Sequence, residues 1–483
     1  MTSTTPPPPA APDFPPSAPW VRPDRWRFAP TTGLVAAVFV GGLGFDIGIR
    51  HPVGFISFLV VAATITAALV GGWVRGPRAR RLATLALLPA GLLMLRDSSW
   101  LIPLNLVATL TLLLLAAAVR PEPHAVSRAF GRLLRPVSAF EPIFFSLDLV
   151  GASAANAVRG RDALGRRLLR LATGLALALP VILILAGLLA AADAVFRSWL
   201  AIPLDVPALV EHALFVSVGA MLMSFYAAHG AWKNTAAPSR TPGLVGPTEA
   251  SIVLAGVVAV YAAFVVAQII AIASGAGYVE RTTGLTYAEY ARQGFFQLVA
   301  AAVITLLVLA TLHRFRRSAS PRIARRLGRL EQATVALTLV VVAVAIRRLF
   351  LYEAEFGLTM LRFSTIIFAG FIGFVFVVTG LWLSDRLHRS PVAVVLAGAL
   401  VLLVAVNIAN PEALVAQRNI DRFGGTDELD INYLVTQLGP DAYPTIASDP
   451  AAREVFCLRD RPVDDRLLTF NLGRQQAADI CGS

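Results

Sequence analysis

Two short stretches carry the densest polar group in an otherwise apolar chain. One holds Tyr287, Glu289 and Arg292; the other holds Arg347, Arg348, Tyr352, Glu353, Glu355 and Arg362. Arg presents a planar fork of donors suited to carboxylates and phosphates. Glu supplies the complementary charge, and Tyr adds a hydroxyl on an aromatic body. Such a set can hold an ionic ligand, or it can pair with itself. If helix runs on past Gly357, then Arg348, Tyr352, Glu355, Thr359 and Arg362 share one face, at steps of four, three, four and three. Gly357 permits a break there. Two readings stay open: a single site built from all nine residues, or Arg–Glu pairs and Tyr anchors that settle helix ends among lipid headgroups.

Other chemistry is hard to place. The six histidines (His51, His124, His212, His229, His313 and His388) are scattered. No HExxH pair or Cys cluster points to a metal, and no cofactor is expected. There is no Gly-rich phosphate loop after a strand and no G-x-S-x-G elbow. These gaps argue against an ATP-driven pump and a soluble-type hydrolase. Ionisable groups near apolar runs are costly to bury. Asp46, the adjacent Arg96 and Asp97, and Asp193 read as interfacial residues, with Arg96 and Asp97 able to pair with each other. Asn105 and Gln268 read as hydrogen-bond partners between helices. Pro180 falls inside a span and is expected to bend it.

The elements that position these residues follow from composition. Of 483 residues, 56% are hydrophobic and 15% are charged, against about 25% charged in soluble domains. A helix crosses a bilayer in roughly 20 apolar residues. Runs of about that length cover Thr32–Ile49, Val53–Val74, Leu82–Leu95, Ser99–Val119, Leu168–Ala192 and Ala208–Ala228. They continue over Glu249–Ala273, Phe295–Leu312, Leu330–Phe350, Met360–Leu383 and Pro391–Ile408. The fold class expected is all-α, a polytopic transmembrane helix bundle of about 11 spans. Strands of a β-barrel would alternate in polarity, and runs such as Ala333 to Ile346 do not. Leu82–Leu95 is short for a span. A re-entrant hairpin over Leu82–Val119 would leave nine crossings with the same parity.

The formal net charge is +12, and Lys233 is the one Lys among 42 basic residues. This Arg bias suggests a GC-rich bacterial genome. The Arg residues sit in short loops between apolar runs, which leaves no room for a nucleic-acid recognition module. Cytoplasmic loops are enriched in Lys and Arg. With the N-terminus inside, 27 of the 42 basic residues fall on inner segments and eight on outer loops. The C-terminus then lies outside, and the bacterial inner membrane is the expected location.

Residues 1–30 hold ten Pro and no signal-peptide core, and read as a Pro-rich cytoplasmic tail. The domain of spans covers 31–408. Within it, the basic segment 120–167 reads as interfacial helix, its Arg residues toward anionic lipid headgroups on the cytoplasmic face. Residues 409–483 differ in kind, with seven Arg against twelve Asp and Glu. Here Asn410-Pro411 caps a helix that Gly424-Gly425 ends. A second helix is expected over Asp427–Leu438 and a third over Asp464–Ala478. The sum is a small helical extracytoplasmic domain, able to meet a protein partner. It holds both cysteines of the chain, Cys457 and Cys481, which suggests a disulfide.

Several stretches resemble a family of bacterial multi-span membrane proteins known as a domain of unknown function. They are Ala191 to Phe196, the Y-A-E-Y-A-R-Q-G-F-F run at Tyr287 to Phe296, and Tyr352 to Thr359. Asn410-Pro411 through Asn419 to Arg422, Leu429 to Leu434, and Asp441 to Pro444 belong with them. The resemblance covers most of the chain from about Leu82 onward. It implies a multi-span inner-membrane protein and supplies no activity or catalytic residue. Three functions are compatible: a non-enzymatic sensory, regulatory or assembly role; a transporter or lipid-handling protein with a cavity among the later spans; and a membrane enzyme acting on a lipid-linked substrate.

Two outcomes follow from the charge distribution and the cysteines. An alkaline phosphatase fused after Ser483 should be active, because that enzyme needs export; an inactive fusion overturns the orientation. A Cys457–Cys481 bond would close a loop worth roughly 3 kcal/mol in the chain-entropy model. Thiol labelling of unreduced, denatured protein should then find no free thiol, whereas two labelled cysteines per chain would sink the pairing.

Overall fold

The computed structural model describes residues 54–70, 76–119, 126, 128–130, 163–200, 246–274, 294–426, 428–457, 470–478 and 480. Among the described residues every regular element is helical. The chain enters through α1 (Phe55–Val70), α2 (Pro77–Leu85), α3 (Leu87–Leu92), α4 (Leu101–Ala118), α5 (Ala163–Ala192) and α6 (Ala194–Leu200). The long helices α7 (Pro247–Ser274), α8 (Phe295–Leu312), α9 (Pro321–Phe356), α10 (Met360–Leu383) and α11 (Pro391–Ala409) follow. A 3-10 turn at His313–Ser318 joins α8 to α9. The tail adds α12 (Pro411–Phe423), α13 (Ile431–Gln437), α14 (Tyr443–Ile446), α15 (Pro450–Cys457) and α16 (Leu472–Ala478).

Among the described residues, seven helices are long and apolar enough to cross a membrane: α4, α5, α7, α8, α9, α10 and α11. Their outward faces carry Val107, Leu110, Leu171, Leu175, Leu179 and Val401, all exposed. Apolar surface this continuous is disfavoured in water and matched by lipid. The chain is therefore an integral, multi-pass membrane protein. α1 is apolar but shorter. Two of the eleven expected spans, Thr32–Ile49 and Ala208–Ala228, lie outside the described residues, as do the Pro-rich segment 1–30 and nearly all of the basic segment 120–167.

The expected span Leu82–Leu95 is not one helix. It is shared between α2 and α3, which part at Ala86. Pro89 is the physical reason. Proline has no N–H to donate, and its ring crowds the carbonyl four residues earlier, which is Leu85, the last residue of α2. At the junction the Ala86 amide is shared between Leu82 O and Ala83 O, both at 3.2 Å.

Caps set many of the other boundaries. Thr359 accepts from the Arg362 amide, Ser390 from Ala393, Asn410 from Ala413 and Asp430 from Tyr433. Pro321, Pro391 and Pro411 each open a helix, where a missing N–H costs nothing. The Asp430 cap also explains why α13 is shorter than the expected Asp427–Leu438. Of the expected third tail helix, the described part is α16; α15 was not foreseen.

The ends of the bundle differ. At one end the tail domain sits on several helix termini together. The Phe55 amide bonds Phe470 O at 3.1 Å, and the Leu472 amide bonds Met94 O at 2.8 Å. The Met360 amide donates to the Tyr433 hydroxyl at 2.8 Å. The other end gathers exposed Arg78, Arg80, Arg81, Arg314, Arg322, Arg325, Arg326, Arg329, Arg386 and Arg389. The bundle core runs between the two ends, through Leu254, Phe376, Ala302, Leu309 and Leu327, then Leu185, Tyr261, Phe264 and Leu298. The tail has its own core of Val415, Leu434, Val435, Ile446 and Phe456.

Candidate functional site

Asp193 is the first polar break after the apolar run of α5. One of its oxygens, Oδ1, accepts the Phe196 amide at 2.6 Å and so starts α6. The other, Oδ2, accepts from Gln268 Nε2 of α7 at 2.7 Å and from Arg348 Nη2 of α9. Arg348 Nη2 also donates to Gln268 Oε1 at 3.0 Å, and Arg348 Nη1 donates to Ala192 O at 2.9 Å. Arg197 donates to Ala190 O at 2.9 Å and to Ala191 O at 3.3 Å. A helix end leaves its last carbonyls without partners of their own; here two guanidinium groups supply them. Asp193, Gln268 and Arg348 are 0%, 3% and 3% exposed. The trio is a buried tie among three helices. Gly294 completes it. At φ +85° it packs on Ala192, and a Cβ there would fall 2.2 Å from Ala192 O.

Of the nine residues read as a candidate polar site, the five whose side chains are described, Arg347, Arg348, Tyr352, Glu353 and Arg362, have different surroundings. Arg348 turns inward to Asp193, while its neighbour Arg347 is exposed, because successive helical residues point about 100° apart. Tyr352 packs on Phe356 at 5.0 Å and lies 4.1 Å beneath the Arg362 guanidinium, a cation–π contact. Arg362 also donates to Phe356 O at 2.8 Å and to Gly357 O. Glu353 instead accepts from Arg418 of the tail at 3.2 Å. Gly357, at φ +74°, ends α9. The series Arg348, Tyr352, Glu355, Thr359, Arg362 is thereby split between two helices and forms no continuous face. Tyr287, Glu289 and Arg292, and the side chain of Glu355, lie outside the described residues.

The tail reads this corner closely. Asn419 accepts from the Leu358 amide at 3.2 Å and donates back to Leu358 O at 2.7 Å. Arg422 donates to Glu353 O at 3.4 Å and to Ala354 O. Arg418, Asn419 and Arg422 share one face of α12: Arg418 pairs with the Glu353 carboxylate, while Asn419 and Arg422 satisfy backbone near the break at Gly357.

A second cluster joins the tail to the α3–α4 corner. Arg96 and Asp97 do not pair with each other as expected; each pairs across the junction. Arg96 donates from Nε to Asn407 O at 2.7 Å, and its Nη1 lies 3.8 Å from Asp441 Oδ1. Asp97 meets Arg474 at 2.7 Å, and its amide donates to Asp441 Oδ2 at 2.8 Å. Glu412 accepts the Gly439 amide at 2.8 Å. Asn471 donates to Leu93 O and Arg96 O, both at 2.9 Å. Just below, Asn105 and Asn407 exchange side-chain hydrogen bonds of 3.0 and 3.2 Å, the interhelical role read for Asn105. Burial raises the pKa of all three acids. Asp441 is pushed up to about 7, by burial first and then by the neighbouring Glu412 charge. Asp97 and Glu412 are raised by burial, in part offset by Arg474 and by the Gly439 amide respectively.

A third cluster lies at the basic end. Glu331, fully buried, meets His313 at 3.1 Å and Arg316 at 3.4 Å. Arg316 also donates to Leu383 O at 2.6 Å. Glu331 was not singled out from sequence. The available signal was its position on the apolar stripe of α9, opposite the face carrying Arg322, Arg325, Arg326 and Arg329. Among the described residues, no three His, Cys, Asp or Glu side chains are placed to hold a metal ion.

Removing one partner of a buried ion pair costs about 3–5 kcal/mol. Arg348→Ala should lower stability by that order, as read by thermal unfolding in detergent. Combined with Asp193→Asn it should be clearly less than additive. Additive losses would mean that the two groups do not act as a pair.

No curated protein and no solved structure matches the chain. A family described as a domain of unknown function, DUF4153, matches residues 82–448, a stretch that holds Asp193, Gln268 and Arg348, and Asp97, Glu412 and Asp441. The chain belongs to that family.

Proposed function

We propose that the protein is a non-enzymatic inner-membrane protein with a sensory or regulatory role, and that residues 409–483 are its extracytoplasmic sensing part. The observation that carries this reading is the junction of Arg96, Asp97, Glu412, Asp441 and Arg474. It packs three acids against two cations, all of them half-buried or buried, between a bundle of spans and a separate helical domain. A catalytic site would need to reach a substrate. This group is instead shaped as a contact whose strength depends on protonation. The placement of the tail outside rests on the Arg-rich opposite end, which suits the cytoplasmic face and its anionic headgroups. A disulfide between Cys457 and Cys481 would brace the tail; Cys457 ends α15, and Cys481 lies outside the described residues. A protein partner of the tail would read the docked or released state.

The sign of the pH effect follows from the raised pKa values. A carboxyl with a higher pKa when docked binds more protons docked than free, between its ordinary value and its raised one. Docking therefore weakens as pH rises from about 4 to about 7 and is flat above. Asp441, raised from 3.8 to about 7, dominates this window. At roughly 1.4 kcal/mol per pKa unit, the tail should be held more tightly at about pH 5.5 than at about pH 8, by roughly 2 kcal/mol. Protease resistance of the tail in reconstituted full-length protein measures this. Asp441→Asn should flatten the profile. A flat profile in the unaltered protein, or an unchanged one in the variant, would remove the sensory reading.

A further inference from the structure

The helices α4, α11, α10 and α8 pack in that order as an arc, and a cavity of about 550 Å³ lies inside it. Its size falls within the range of small-molecule sites. Its walls include Val107, Phe296, Phe368, Leu400 and Leu403, and no ionisable side chain lines it. Three hydroxyls reach the wall: Ser364 and Thr365 both donate to Leu361 O, which leaves Thr111 as the one hydroxyl on the α4 side. A polar solute would therefore find little to replace its lost water. The cavity is also wrong for another helix. Close helix approach in membranes uses small residues, and these walls are mainly Leu, Val and Phe.

Its position is as telling as its lining. One end begins at Trp100, half-buried and edge-on to Phe363 at 6.3 Å, on the side where the tail domain sits. Trp favours the membrane–water interface. From there α4 lines the cavity from Leu101 to Leu115, a rise of about 21 Å. One leaflet of hydrocarbon is about 15 Å deep. The end helices of the arc, α4 and α8, are not a packed pair. Between them Val107, Phe296 and Phe368 are 61%, 70% and 50% exposed, so the groove faces sideways, toward lipid.

We propose that this groove is a binding site for an acyl chain of a bilayer lipid, entered laterally from the leaflet on the tail-domain side. Its start at the interface, a length that covers at least one leaflet and a wall with no ionisable side chain all match hydrocarbon attached to a headgroup outside the groove. The assignment is independent of the junction chemistry and extends the protein's role to holding a lipid.

The test uses the full chain in bilayers of phosphatidylcholine and phosphatidylglycerol. They are doped with a phosphatidylglycerol that carries a diazirine midway along one acyl chain. After illumination, mass spectrometry should find adducts on Val107, Phe296 and Phe368 several-fold above those on Leu171, Leu175 and Leu179, which face outward on α5. Ala108→Phe with Ala399→Phe fills the groove, and should cut the groove adducts several-fold while leaving those on α5 unchanged. If that variant does not fold, the ratio in the unaltered protein still decides. Labelling of the groove no greater than of α5 means boundary lipid only and overturns the proposal. So does full labelling in a folded, filled variant. Groove residues shielded from lipid and cross-linked to a second copy, or to residues 32–49, would overturn it in favour of a protein occupant.

Discussion

In hydrocarbon a backbone carbonyl without a partner is costly, and most of the polar architecture here answers that constraint. Helices satisfy their interiors and leave their ends bare. The end of α5 is closed by Arg197 and Arg348, the end of α10 by Arg316, and the end of α11 by Arg96. Each guanidinium can reach several acceptors at once because its donors form a rigid fork. Each is then drawn into a second duty. Arg348 meets Asp193, Arg316 meets Glu331, and Arg96 approaches Asp441. Charge is thus buried where helices end, and it ties one helix to the next.

The same constraint shapes the described part of the polar group at the end of α9, where the guanidinium groups of Arg362, Arg348 and Arg418 are engaged by backbone or by a partner side chain. Gly357 breaks the helix, the exposed carbonyls of 353–358 need donors, and Arg362, Arg422 and Asn419 supply them. The Tyr352 ring under Arg362 leaves that guanidinium committed on its face as well. Docking of the tail is the natural consequence. Its helix α12 brings Asn419 and Arg422 to backbone that would otherwise meet the interface unpaired.

The two ends of the molecule work with different chemistry. The basic end presents Arg to its surroundings and, among the described residues, buries Glu331 between His313 and Arg316 and Glu249 in the first turn of α7. At the tail end half-buried Asp97 and buried Glu412 and Asp441 face Arg96 and Arg474, the charge balance on which the proposed pH response rests. Between them the bundle is dense on the side of α5, α7 and α9 and open on the side of α4 and α11. Only a small part of α11 is buried, and the groove lies along it.

The sequence alone determined the class of the protein, because length and composition leave a chain this apolar one solvent. The limits of α8 and α10 matched the apolar runs Phe295–Leu312 and Met360–Leu383, since the caps and the charges that end them are local. Asn410-Pro411 was legible for the same reason. Pairing was not. Whether Arg348 meets Asp193, 155 residues away, or Asp97 meets Arg474, 377 away, depends on which helix faces are turned together, and no local pattern carries that. The Pro89 break was in plain sight, but hydropathy read past it. The groove left no sequence signal at all. Its lining residues look like any lipid-facing apolar positions, and only the arc of α4, α11, α10 and α8 makes them a site.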